Sequence, residues 1–225
     1  MVRQARSEAT RRKIIRAAVD VFSEMGYPAS GLGDIIERAE MTKGALYYHF
    51  DSKEALATAI IEEGGATLFR TFQSVGEPSA PALETMIHGL FLVADVIATD
   101  KVVRTGAQLL RAFGEFNEVA APTFGRLVED MIAQARQASA EGDLRAGLQP
   151  EVAAETIVGA MLGAQLISDA TSGGADLIDR VRRMWSVLLP AIASEASLPY
   201  FREFLARESL RHSPTLSIDA AGDDS

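Results

Sequence analysis

Apolar residues recur three and four positions apart from one end of the chain to the other, while strict alternation of apolar and polar residues is scarce. A spacing of three and four stacks side chains on one helical face, so the pattern predicts an all-α protein. Over residues 8–25, Ile14, Ala18, Val21, Phe22 and Met25 fall on one stripe, and Gly26 follows as a C-terminal stop. The turn Tyr27-Pro28-Ala29-Ser30 leads to a short second helix over 32–39, with Ile35 and Ile36 facing inward and Ser30 or Gly31 at its cap. Gly31 and Asp34 have the spacing of a capping box without its hydroxyl. A third helix of two turns is predicted over 42–50. A fourth opens at Asp51-Ser52-Lys53-Glu54, with Asp51 as its cap, and runs towards Phe72. Further helices are predicted over 80–98, 101–113, 120–140, 150–171, 174–193 and 198–209.

Three short helices with tight turns bury little surface alone. The expected organisation is therefore a head over residues 1–51, a larger helical body over 52–212 on which it leans, and a frayed tail over 213–225 rich in Asp, Ser and Gly. The charge is divided the same way. The chain of 225 residues carries a net charge of −9, yet residues 1–55 hold 9 basic and 8 acidic side chains, and residues 1–16 hold six basic residues against one Glu. A basic end on an acidic body argues against a general nucleic-acid coat protein and leaves room for a local basic patch.

Composition removes several classes of chemistry. With no cysteine there are no disulfides, thiolate metal sites or cysteine nucleophiles. His49, His88 and His212 are too far apart in sequence for a helical pair of metal-binding histidines, so no metal is expected. No cofactor is expected either: there is no P-loop and no nucleophile elbow, and Gly31-Leu32-Gly33 is followed by Ile36 where a dinucleotide fingerprint needs its third glycine. The first 16 residues are polar and basic, unlike an export signal, and the most apolar run, Ile157 to Ala164, is far short of the roughly 20 residues that span a bilayer. These features predict a cytoplasmic protein with no membrane partner.

The informative stretch is Leu32 to Lys53, where a short helix, a tight turn and a second short helix make up a helix-turn-helix. A reading helix needs small residues at its leading edge and donors around it. Thr42, Lys43, Gly44 and Ala45 supply the edge and a cation; Tyr47, His49 and Lys53 can donate to phosphates. Arg3, Arg6, Arg11 and Arg12 would form a mobile arm able to enter the adjacent minor groove.

The run from Lys13 to Glu54, and above all "TKGALYYHFDSKE", resembles the DNA-binding domain of the tetracycline-repressor (TetR) family. The resemblance implies that Thr42, Lys43, Gly44, Tyr47, His49 and Lys53 contact DNA, and that Leu46, Tyr48 and Phe50 pack the head. It also departs from the family, with Gly31 and Gly33 standing where relatives often carry Thr and a longer polar residue. Through "TKGALYYHF" and "MWSVLL", the chain is also similar, more weakly, to the receptors for γ-butyrolactone-type signals. The family likeness implies a repressor that binds a palindromic operator as a dimer and is released by a small molecule.

The body is rich in Met, Phe, Leu and Gly, and such a bundle can enclose an apolar cavity with a few polar groups. Met86, Leu90, Phe113, Met131, Met161 and Trp185 are the candidates for its lining, with Gln108, Thr156 and Gln165 as polar anchors. His88 lies on an apolar helix with Met86, Leu90 and Phe91, which predicts a hydrogen-bonded core histidine. Gly159 and Gly163 suggest close helix packing, and together with Ile178, Val181, Trp185, Leu188 and Ile192 on the next helix they give more apolar surface than a monomer readily hides, which predicts a two-fold dimer built from that helix pair. The competing readings are an enzyme, against which the missing motifs speak, and a helical protein-interaction module that does not bind DNA.

Overall fold

A computed structural model describes residues 2–75, 80–113 and 119–212. The tail over 213–225 lies outside the described residues, as do the side chains of Val2, Arg3, Phe113 and Ala120. Ten helices follow one another: α1 (Val2–Met25), α2 (Leu32–Arg38), α3 (Lys43–Tyr47), α4 (Lys53–Gln73), α5 (Ala82–Thr99), α6 (Lys101–Phe113), α7 (Ala120–Ala140), α8 (Pro150–Ser172), α9 (Leu177–Ile192) and α10 (Leu198–Arg211). Among the described residues there is no strand, and only Leu144 and Ala193 pair, as an isolated antiparallel bridge. The all-α expectation therefore holds, and most of the expected spans agree within a few residues.

The start of the chain differs. The arginines expected to form a mobile arm are part of α1, which is continuous from Val2. Arg, Gln, Ala and Glu are good helix formers and neither Gly nor Pro interrupts the segment, so no residue ends the helix there. Arg11 is drawn onto the head, its guanidinium 5.3 Å from the centre of the Phe50 ring. At the other end Gly26 adopts φ 78° and donates its N–H to the Phe22 carbonyl at 3.0 Å, as a helix stop does.

The caps of the next helices explain where they begin. The Gly31 N–H donates to the Asp34 carboxylate at 2.7 Å, so half of a capping box operates without a hydroxyl. Thr42 caps α3, its hydroxyl accepting from the Ala45 N–H at 3.2 Å. For α4 the expected cap, Asp51, stands one residue too early. Ser52 takes the role, accepting from the Ala55 N–H at 3.0 Å.

Two hydrophobic cores result. In the head, Ile14, Ala18, Val21 and Phe22 of α1 pack with Ile35, Leu46 and Phe50, and with Leu56, Ile60 and Ile61 of α4 and Leu109 and Leu110 of α6. Met25 is half-exposed. Tyr48, expected to pack the head, is instead 76% exposed, because five-residue α3 turns only Leu46 inward. The head is fastened to α6 by the Ser23 and Thr105 hydroxyls, 3.0 Å apart, and by the Lys101 ammonium 2.9 Å from Asp20.

In the body, α5 is central. Its composition would let it cross a bilayer, a property the run at 157–164 lacks, but 56% of it is buried against the surrounding helices, so it serves as the core helix of the bundle. α4 crosses α6 backbone to backbone. A Cβ on Gly106 would lie 2.9 Å from the Ile60 carbonyl oxygen, and one on Gly64 would lie 3.3 Å from the Val102 oxygen. α4 thereby joins both cores, with Ile60 and Ile61 in the head and Leu68 and Phe72 against the body.

Candidate functional site

The turn between α2 and α3 sets the angle of α3. The Glu40 N–H donates to the Glu37 carbonyl at 3.0 Å and the Met41 N–H to the Ile36 carbonyl at 3.2 Å, a Schellman closure that puts Glu40 in the left-handed region at φ 48°. From this turn α3 presents Thr42, Lys43, Gly44 and Tyr47 to solvent, with His49 half-buried beside them. A Cβ at Gly44 would meet nothing within 4 Å, so no packing requirement accounts for a glycine there. Its smoothness is available only to something approaching from outside. Lys43 Nζ lies 5.6 Å from the centre of the Tyr47 ring, placing a cation and a phenol on the same edge.

Lys53 departs from the expectation of a free phosphate donor. Its ammonium donates to the Tyr27 carbonyl at 2.8 Å and the Ser30 carbonyl at 2.7 Å, and sits 4.2 Å from the centre of the Tyr27 ring. Those bonds tie the turn after α1 to the start of α4 and take two of the three ammonium protons. Arg6 is exposed on α1, and Arg3 lies in the same helix with its side chain outside the described residues.

The body contains a cavity of about 470 Å³ between α4, α6, α7 and α8, with an inner lobe of about 80 Å³ reaching α5. Leu68, Phe69, Leu127, Leu162 and Gln165 line both. Of the expected lining residues, Leu90, Met131, Met161 and Gln165 reach the inner lobe. Met86 and Trp185 are buried in the core and do not line either space. Gln108 and Thr156 are exposed, so neither is an inward anchor; Thr156 spends its hydroxyl on the Val152 carbonyl at 2.7 Å, on the outer face of α8. Phe113 cannot be placed, its side chain being outside the described residues.

The polar side chains at this cavity are Glu62, Arg111, Thr123, Arg126 and Gln165, with Asp130 at the inner lobe. Gln165 Nε2 and Arg111 Nη1 are buried without a partner among the described residues, although Arg111 also pairs with Asp169 through its other terminal nitrogen. Burial pushes the Asp130 carboxyl on the inner lobe above its ordinary range. Sequence reasoning missed Arg111 and the whole contribution of α4, because neither lies in an apolar stripe that points to a void.

The stripe expected to form a dimer face is partly core: Val181, Trp185 and Ile192 are buried inside the protomer. The exposed apolar side chains of this helix pair are Val152, Leu166 and Ile167 on α8 and Val187 on α9, and Gly159 and Gly163 have open space beside them.

Residues 14–60 match the family described as bacterial regulatory proteins, tetR family. Over most of its length the chain is similar to the A-factor receptor protein of Streptomyces griseus, at 34% identity over 203 residues, covering 90% of this chain and 70% of that one. The chain belongs to the tetR family. Two solved structures of tetR regulators extend the likeness to the body. One is tylp from Streptomyces fradiae, with a TM-score of 0.71 at 32% identity over 92% of this chain and 96% of that one. The other is CprB of Streptomyces coelicolor in complex with its operator sequence, with a TM-score of 0.75 at 27% identity over 92% and 99%. As a tetR regulator, the protein has its helix-turn-helix at α2 and α3, within the matched residues 14–60, and the cavity lies in the helical body that follows.

Proposed function

We propose that this tetR regulator is a cytoplasmic repressor that binds a palindromic operator as a homodimer and is released by a largely apolar small molecule. The observation that carries the reading is the exposed edge of α3, where Lys43, Gly44 and Tyr47 serve no packing purpose and suit a phosphate-lined groove. One such edge is too small for tight, specific binding. Two on a two-fold axis would enter major grooves about 34–36 Å apart. The exposed apolar face of α8 and α9 supports pairing through those helices. If each protomer neutralises about four phosphates, the logarithm of affinity falls with that of salt at a slope of roughly −7.

The cavity supports an effector with an apolar chain and one oxygen acceptor, the latter to meet Gln165 and Arg111. Likeness to a solved gamma-butyrolactone receptor, with a TM-score of 0.75 at 26% identity, favours a γ-butyrolactone-like signal. Because α4 lines the cavity and floors the head, an effector that favours one tilt of α4 changes the spacing of the two heads. Turning mostly bound dimer into mostly free dimer requires about 5 kcal/mol of differential affinity. The test is a gel shift on an operator selected from random duplexes, with wild type against a Lys43→Ala, Tyr47→Ala double variant. Binding should fall at least about 100-fold in the variant. Unchanged binding would instead favour a protein-interaction module.

A further inference from the structure

Two of the three histidines of the chain, far apart in sequence, meet beside a buried carboxylate. His88 stands on α5, and Glu208 and His212 lie one turn apart at the end of α10, on one face. His88 Nδ1 is 2.5 Å from Glu208 Oε2, His212 Nε2 is 3.7 Å from the same oxygen, and one donor atom from each residue lies within 4.8 Å of the others. We propose that these three side chains bind a divalent transition-metal ion of the zinc type, which clasps α10 to α5.

A hydrogen-bonded pair alone explains less of this geometry. The Glu208 side chain is 1% exposed, and its other oxygen is already held by Arg211 Nη1 at 2.6 Å. His88 by itself satisfies Oε2. His212 is aimed at the same atom from beyond hydrogen-bonding reach, with its ring stacked on Phe91, centroids 5.4 Å apart and planes 18° from parallel. A tetrahedral zinc ion with bonds of about 2.0–2.2 Å sets its ligand atoms roughly 3.3–3.6 Å apart, a spacing that falls between the 2.5 and 3.7 Å at which the two histidines now stand from Glu208 Oε2. Two imidazole nitrogens and one carboxylate favour zinc-like ions over calcium or magnesium. The His88 side chain is 32% exposed, which leaves an open side for entry and for a water as fourth ligand. The sequence signal was available in Glu208 and His212, spaced i and i+4 on a helix, but His88 comes from 120 residues away.

The site does not depend on the regulatory reading. The experiment uses the untagged full chain, stripped with a chelator, then titrated near neutral pH with zinc by calorimetry and with cobalt by visible absorption. The expected result is one ion per chain at micromolar affinity or better, an intense tetrahedral cobalt band and a raised Tm. His212→Ala, at the helix end, and His88→Ala should each weaken zinc at least about 100-fold while circular dichroism shows the helices retained. The wild-type titration decides the matter even if a variant fails to fold. No stoichiometric uptake at submillimolar zinc would overturn the site, as would unchanged uptake in the folded double variant.

Discussion

In the head, the side chains that pack and the side chains that face outward are different sets: Leu46 and Phe50 are buried, while Lys43, Gly44 and Tyr47 stand in open space. In the body the two sets coincide, since Leu90, Met131 and Met161 belong to the buried core and also line the inner lobe. A change at the head surface can therefore alter binding and spare stability. A change at the cavity alters both.

Two glycines test this contrast most sharply. Gly106→Val drives a side chain into the Ile60 carbonyl and should cost about 3 kcal/mol in urea unfolding, at the upper end of overpacking penalties. Gly44→Val has room and should leave stability within about 0.5 kcal/mol of wild type. Its operator affinity should nonetheless fall at least about tenfold by fluorescence anisotropy, a loss comparable to one mismatched contact. If Gly44→Val binds normally, the exposed edge of α3 is not the reading surface.

Smaller effects probe the body and the turn. Gln165→Leu removes a buried donor without a partner and should raise stability by about 1 kcal/mol in thermal melts, while more effector is needed to release DNA. Glu40→Gly relieves a left-handed backbone and should add about 0.5–1 kcal/mol. The smallest effect is at the junction of α8 and α9. There the Asp176 carboxyl is held well below its ordinary range by the Arg180 guanidinium, then by the Ser168 and Ser172 hydroxyls. A depressed carboxyl contributes stability that is complete above the unfolded value of about 4 and fades as the pH falls below it. Asp176→Asn should flatten that part of the pH-stability curve, its small loss of stability being complete in the neutral range and vanishing in acid.

The spacing of apolar residues was enough to read the helices, because each helix must bury a stripe and the stripe is local. Local chemistry also revealed the edge of α3. What escaped was whatever depends on distant partners. Lys53 reads as a free cation until the turn at Tyr27 folds over it. Trp185 and Met86 are as apolar as a cavity wall, but the helices around them close without a gap. The void lies instead between α4, α6, α7 and α8, beside the close approach of α4 and α6 at Gly64 and Gly106, an outcome of the crossing of whole helices that no single stripe encodes.

The double membership of α4 also limits how this protein can be taken apart. A chimera that grafts the reading head onto a foreign body by cutting just after Phe50 would leave behind Leu56, Ile60 and Ile61, the floor of the transplanted unit. A graft that keeps its shape must carry α4 whole, together with the patch of α6 around Leu109 and Leu110 on which it rests.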